Sequence, residues 1–278
     1  MTLLILAVAL VVILIGAEVF TNALEHLGER LKISEGVTGS IFAAVGTALP
    51  ETMVPVVAIL STVGSQQLRE EVGVGAILGA PLMLSTLSLF LMAVFAAHKR
   101  GWTDALHPER GGLKRDLRWF LLAFTLSTLA IFVPHEWPTI RGVIGIVLVL
   151  IYFVYILQTV RASARLVADG HGTEADEPLF LVRLLKVFGL REGMVVVLLQ
   201  LALGLAMIIG GAHGFVHGIE SLSVILGISA LVLSLLIIPV ATELPEKVNS
   251  ILWIRRRKDT LAFGNITGAM VFQGTLLP

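Results

Sequence analysis

The chain has 278 residues, of which 56% are hydrophobic and 14% charged; its formal net charge is zero and it contains no cysteine. A soluble domain is about 45–50% apolar and about 25% charged, so a water-soluble globule is excluded, and a mean hydropathy of +0.92 indicates a chain that crosses a bilayer many times. Disulfides and thiolate chemistry are excluded as well, and the balanced charge gives no electrostatic footprint for nucleic acid.

A helical span needs roughly 20 apolar residues. Eight segments qualify in chain order: 2–24, 36–64, 72–97, 117–133, 139–160, 192–216, 222–253 and 260–278. The first has neither a basic leader nor a small-residue cleavage site, so it reads as a span and not as a removable signal. The second contains "AVGTALPET", Ala44 to Thr52, which sets a glycine, a proline and a carboxylate inside an apolar run. The fourth is short and ends at the turn "PHEWP". After the fifth comes the polar stretch "ADGHGTEADEP", then "LFLVRLLKVFG", an amphipathic basic segment predicted to lie along the membrane surface. The seventh is long and has polar residues near its middle. The prediction is an all-α polytopic membrane protein: a first half of five spans in 1–160, a cytoplasmic linker in 161–190, and a second half of three spans in 191–278.

Orientation follows from Lys and Arg. Seventeen of the twenty basic residues fall in four alternating loops: Arg30 and Lys32; Lys99 to Arg118; Arg161 to Arg191; and Arg255 to Lys258. This bias places those loops in the cytoplasm and the N-terminus outside.

The interrupted second span has a twin. "TELPE", Thr242 to Glu246, repeats "TALPE", Thr47 to Glu51, at an offset of 195, and the same offset runs without gaps from Gly16 against Gly211. Fourteen of those 36 pairs are identical. Further on, "GAILGA" from Gly75 matches "GNITGA" from Gly264. Five spans precede the second copy. An odd number inverts it in the membrane, so the pattern is an inverted-topology repeat of five helices. The second repeat supplies only three spans, so it is predicted to be truncated, without a ninth and tenth.

Pro50 and Pro245 each remove a helix N–H and free a carbonyl near Gly46 and Ala241. Such groups are unsatisfied in lipid, so the breaks must face protein or a polar cavity. The freed carbonyls, the hydroxyls of Thr47 and Thr242, and the carboxylates of Glu51 and Glu246 are hard oxygen donors, and two such sets at mid-membrane match the coordination of Ca²⁺. Glu243 and Lys247, four apart, share a helix face and can pair. The pair either neutralises itself beside the site, or the ammonium fills a coupling-ion position, or Glu243 is a further ligand. Glu18, Asn22 and Glu25 match His213, His217 and Glu220 across the repeat. Each set occupies one helix face; access-path lining is the reading, with a zinc site on the second set as an alternative.

"GTALPE" with "GAILGA", and "ATELPE" with "GNITGAMVFQ", resemble the two alpha-repeats of the calcium/cation antiporter superfamily, which includes the sodium/calcium exchangers. The resemblance implies ten helices in two inverted halves and a central site in which Glu51 and Glu246 hold Ca²⁺, aided by Thr47 and Thr242. Where the family pattern has serine and Asn/Asp, this chain has Ala48 and Glu243, then Ala80, Pro81 and Leu84, and Ala269, Met270 and Gln273. Asn265 and Gln273 keep polarity, but the groups that help form the usual sodium sites are lost, and the acidic signature of proton-coupled exchangers in the later helix is absent as well.

The predicted function is a secondary active antiporter that exports Ca²⁺ or another divalent cation against Na⁺ or H⁺ by alternating access. Its partners are inorganic cations and the bilayer, it uses no cofactor, and it is not an enzyme. The metal set is Glu51, Glu246, Thr47, Thr242, Glu243, Gly46, Ala241 and Gln273. A proton-coupled or uncoupled transporter, or a non-transporting scaffold or sensor, are the alternatives. No His-Glu-x-x-His and no Gly-x-Ser-x-Gly occurs to suggest an intramembrane enzyme.

Overall fold

The computed structural model of the chain describes residues 2–48, 78–134, 136–175, 177–184, 192–227 and 243–278. The backbone there is helical apart from turns, loops and one isolated bridge, Ser34 to Gly172. Helix α1 (Thr2–Leu31) runs past the predicted end of the first span. The chain turns through Lys32, at φ 53°, and re-enters as α2. Ser34 caps α2 by accepting a hydrogen bond from the Val37 N–H. Helix α2 is Glu35–Val37, then a π-wound stretch Thr38–Ala43, then Ala44–Thr47. Helix α3 (Leu78–Arg100) contains a second π-wound stretch, Leu84–Ser88. Such bulges are rare and gather at functional sites. Helix α4 (Arg110–Ile131) is capped by Glu109, whose carboxylate accepts from the N–H groups of Gly111 and Gly112. Helix α5 (Pro138–Ala168) starts on a proline, which costs nothing in a first turn. The remaining helices are α6 (Phe180–Leu184), α7 (Met194–Leu226), α8 (Leu244–Arg255) and α9 (Asp259–Leu276).

The boundary between the sixth and seventh predicted spans is corrected. The sequence suggested an end near 216 and a restart at 222, but α7 continues to Leu226, and Gly227 follows at φ 68°, the left-handed conformation suited to a helix stop. Within that helix Gly211 is a packing residue.

That packing is reciprocal. A methyl group on Gly16 would lie 2.8 Å from Met207 Cβ and 3.0 Å from Ile208 N, and one on Gly211 would lie 2.7 Å from Ile13 Cγ1 and 3.1 Å from the Ala9 carbonyl. A methyl on Gly204 would meet the Phe20 backbone at 2.7 Å. Contact positions rise along α1 as they fall along α7, so the two helices are antiparallel. Their backbones meet closely because small residues line both sides, the usual means of helix association where the surroundings are as apolar as the side chains.

Helix α9 is the hub. Nearly every residue from Asp259 to Thr275 is buried, and it packs on α2, α4, α5 and α8. Gly39 approaches Leu261, and Gly264 and Gly268 sit against the backbone of Ser40. The outer faces of α1, α5 and α7 carry exposed apolar side chains, among them Leu4, Ile146, Leu150, Phe153, Val195 and Leu199. Four helical segments among the described residues are long and apolar enough to cross a membrane: Leu4–Leu31, Leu78–Arg100, Pro138–Ala168 and Met194–Gly211. Helix α4 begins with charged residues and α9 carries interior polar groups, which lowers the hydropathy of both.

The polar linker is docked. The Thr173 N–H donates to the Ile33 carbonyl and the Glu35 N–H to the His171 carbonyl, while the Thr38 and Thr173 hydroxyls lie 2.8 Å apart. Residues 185–191 of the amphipathic segment lie outside the described residues; its start forms α6.

Candidate functional site

Three elements bring predicted site residues together. The Ala44–Thr47 turn of α2 packs against both α8 and α9. Gly46 and Thr47 lie on the first of these, Glu243 and Glu246 at the start of the second, and Gln273 on the third. Glu51, Thr242 and Ala241, like Pro50, lie outside the described residues.

Thr47 is fully buried and its hydroxyl donates to the Ala43 carbonyl at 2.9 Å. That bond uses the proton and leaves the oxygen lone pairs for a cation. Glu246 is fully buried in the first turn of α8, after a proline at the helix start. The exposed N–H groups of a first turn carry partial positive charge, so a carboxylate there is less costly than elsewhere in the membrane. Glu243, immediately before the helix, pairs with Lys247 at 2.9 Å, and both are buried. The pairing expected from their spacing is present, which removes the cost of a lone buried ammonium. Gln273 is fully buried on α9. Asn265 of α9 donates to the Glu246 carbonyl at 3.1 Å and to the Ser250 hydroxyl at 3.0 Å, which fastens α9 to the acidic turn.

Two polar residues in the interior escaped the sequence reading. Asn249, three residues beyond Glu246, is fully buried, and neither its amide oxygen nor its nitrogen has a hydrogen-bond partner. Asp116 on α4 is 1% exposed and accepts from Ser40 Oγ at 2.8 Å and Thr267 Oγ1 at 2.7 Å. It lies one residue before the predicted fourth span, 117–133, but inside the observed helix. The buried stripe Gly112, Asp116, Phe120, Ala123 and Ser127 has helical period and was there to be found.

The polar stripe on α1 faces inward and is tied down. Glu25, 1% exposed, accepts from Trp253 Nε1 at 2.9 Å and Lys258 Nζ at 2.8 Å, with Arg256 Nη1 at 3.6 Å. Glu18 pairs with Arg256 at 2.7 Å. Asn22 accepts from the Phe180 N–H at 3.1 Å and from Gln200 Nε2 at 2.8 Å. Burial in this network keeps Glu25 away from lipid headgroups. Asp259 at the start of α9 binds Arg100 through both oxygens, at 2.6 and 3.0 Å, and accepts from the His107 N–H at 2.8 Å. The basic turn between α8 and α9 is therefore neutralised by residues of α1, and the adjoining Asp259 by α3. His213 is exposed; the side chains of His217 and Glu220 lie outside the described residues. No group of three or more metal-binding side chains occurs among the described residues.

Glu35, at the mouth of α2, has its carboxyl pushed up to about 7. Burial is the main cause, reinforced by the charges of Glu25 and Asp259 and opposed by Lys258 and a hydrogen bond from Thr260.

The model of the sodium/calcium exchanger protein family matches residues 1–160 and 196–277. CaxA of Alkalimonas amylolytica is 27% identical over 274 residues, which is 95% of this chain and 75% of that protein. The sodium/potassium/calcium exchanger 3 of Rattus norvegicus is 32% identical over 138 residues, 50% of this chain and 20% of its own length. The sodium-calcium exchanger NCX_Mj, in crystals soaked with Na⁺ and Sr²⁺, superposes with a TM-score of 0.72 at 20% identity, over 99% of this chain and 80% of that one. The family match spans both halves of the chain, on either side of the linker, and the fold is that of NCX_Mj: this protein belongs to the sodium/calcium exchanger family.

Proposed function

We propose that the protein is a secondary active antiporter that moves Ca²⁺ or another divalent cation against Na⁺ or H⁺, with a mid-membrane site made by Glu51, Glu246, Thr47, Thr242, Glu243, the Gly46 and Ala241 carbonyls, and Gln273. Family membership supports the class. The observation that carries the site is Glu246: a fully buried carboxylate in a proline-started first turn, packed beside the turn that holds Thr47. A carboxylate kept at that depth is expensive and by default functional.

The reciprocal contacts of Gly16 with α7 and Gly211 with α1 support the inverted-repeat reading, because these residues are equivalent at the offset of 195. An antiparallel, self-complementary seam is what a pseudo-twofold axis in the membrane plane produces. Alternating access then rocks one repeat against the other around the fixed site.

Proton coupling is favoured over sodium coupling by the substitutions at Ala80, Leu84, Ala269 and Met270, all apolar where the family pattern is polar, and by the Glu243–Lys247 pair, which places an ammonium beside the site. Purified protein in vesicles is expected to exchange Ca²⁺, and Glu51→Gln and Glu246→Gln each to reduce flux to the protein-free background. Normal transport by both variants overturns the site. Imposing Na⁺ and H⁺ gradients separately identifies the counter-ion.

A further inference from the structure

We propose that Asp116 is a proton-binding site, separate from the repeat carboxylates, at which the exchanged proton is taken up and released through a one-water crevice between α2, α4 and α9. This rests on the antiporter reading and specifies its counter-ion.

The hydrogen bonding around the carboxyl is unbalanced. Ser40 and Thr267 both reach Oδ2, and Oδ1 has no hydrogen-bond partner. Arg115 Nε lies 3.9 Å from Oδ1, beyond hydrogen-bond range, and Arg115 Nε and Nη2 are themselves buried without partners. The Tyr155 hydroxyl of α5 lies close enough to interact with the same carboxyl and with Ser40. The proton count fits both charge states. Thr267 Oγ1 lies 2.7 Å from Oδ2 and 2.9 Å from the Phe263 carbonyl, and one hydroxyl proton cannot serve both. With Asp116 ionised, Thr267 gives its proton to Oδ2; with Asp116 protonated, the carboxyl O–H turns to Thr267 and that hydroxyl donates to the Phe263 carbonyl instead.

The crevice gives the route. Its wall includes Gly36, Pro108, Glu109, Gly112 and Thr260, and it reaches Asp116 from the loop end of the bundle. Its volume is about 10 Å³, room for about one water. A hydrated metal ion does not fit; a proton relayed by a single water does. The charged and titratable groups facing Asp116 are Arg115 of α4 and Tyr155 of α5; Glu109, in the crevice wall, is engaged by two backbone N–H groups. The groups that α2 and α9 turn toward the carboxyl are the hydroxyls of Ser40 and Thr267.

Position supplies the coupling. Ser40 belongs to the π-wound stretch that leads into Gly46 and Thr47, and Thr267 to the helix that carries Gln273. A proton at Asp116 and a divalent cation at Glu246 add positive charge to one low-dielectric interior, so each weakens the other's binding, and the penalty is reciprocal. Exchange requires that antagonism.

The test uses full-length protein in vesicles with Ca²⁺ as the probe. Wild type is expected to perform Ca²⁺/Ca²⁺ exchange at equal pH on both sides and to accumulate Ca²⁺ under an imposed pH gradient without sodium. Asp116→Asn should keep the first activity and lose the second, and should lose the protonated-carboxyl band from the infrared difference spectrum between acid and alkaline buffer. Ser40→Ala with Thr267→Val keeps the carboxyl but removes two bonds to its charged form, so the pH midpoint of exchange should rise by about one unit; this variant carries the test if Asp116→Asn does not fold. Retention of pH-driven flux in Asp116→Asn, or an unmoved midpoint in the double variant, overturns the proposal alone. Flux in wild type driven by sodium and indifferent to pH overturns the proton. Absence of Ca²⁺/Ca²⁺ exchange in wild type brings down the antiporter reading first and this proposal with it.

Discussion

Glu25 carries two of the sharper residue-level consequences of the fold. It is buried beside Lys258, Arg256 and Trp253, so removing its charge takes a carboxylate partner from two cations, of which Arg256 keeps Glu18. Breaking a buried pair from one side costs about 3–5 kcal/mol. Glu25→Ala is therefore expected to lower the thermal midpoint of detergent-purified protein steeply, and an unchanged midpoint would show that the network is solvated. Glu25 also acts on its neighbour Glu35, whose carboxyl sits at about 7 against an ordinary 4.5. A raised pKa means that the folded state holds the proton more tightly than the unfolded state. The stability contributed by Glu35 is thus full below about 4.5 and is lost as pH rises through about 7. Melting scans across that window should show wild type losing stability toward alkaline pH and Glu35→Gln losing less; parallel curves would refute the assignment. Asn249 and Asp116 belong to the same scale, each a buried polar group whose incomplete bonding has no structural benefit.

Among the elements, α9 shows how close packing substitutes for hydropathy. It is not apolar enough to stand out as a membrane helix, but glycines let it lie directly on the π-wound turn of α2. A methyl group at Gly268 would overlap the backbone of Ser40, and backbone cannot move aside as a flexible side chain does. Gly268→Ala is expected to displace α9 from α2, reduce folded yield and separate Asp116 from one of its hydroxyl donors. Gly142→Ala, on α5, has nothing within 4 Å of the added methyl and serves as the control. If both variants express and melt alike, the contact is looser than it looks. The α1–α7 seam follows the same logic at Gly16, Gly204 and Gly211.

For the whole molecule, the arrangement of charge predicts an orientation. The basic loops are expected in the cytoplasm and the N-terminus outside. The natural absence of cysteine makes this simple to test. Trp102, in the loop between α3 and α4, and Glu136, in the turn between α4 and α5, are both exposed. An impermeant maleimide added to intact cells should label Glu136→Cys, and should label Trp102→Cys only after permeabilisation. The reverse pattern would invert the topology and move the Asp116 crevice to the outer face.

Much of this was legible before any coordinates. Apolar runs marked a helical membrane chain, and the second Thr–x–Leu–Pro–Glu motif pointed to the buried Glu246, because both are local patterns written along the sequence. Glu243 with Lys247 was readable for the same reason: four residues make one helical turn. Span ends were less legible, since glycine serves both as a helix stop, at Gly227, and as a packing surface, at Gly211, and only the neighbouring helix distinguishes them. The pairings Glu25 with Lys258 and Arg100 with Asp259, and the convergence of Ser40, Asp116 and Thr267, join residues far apart in sequence. No local periodicity encodes such meetings. They are decided when helices dock, because in a low-dielectric interior each charge or hydroxyl must find whichever partner the packing brings.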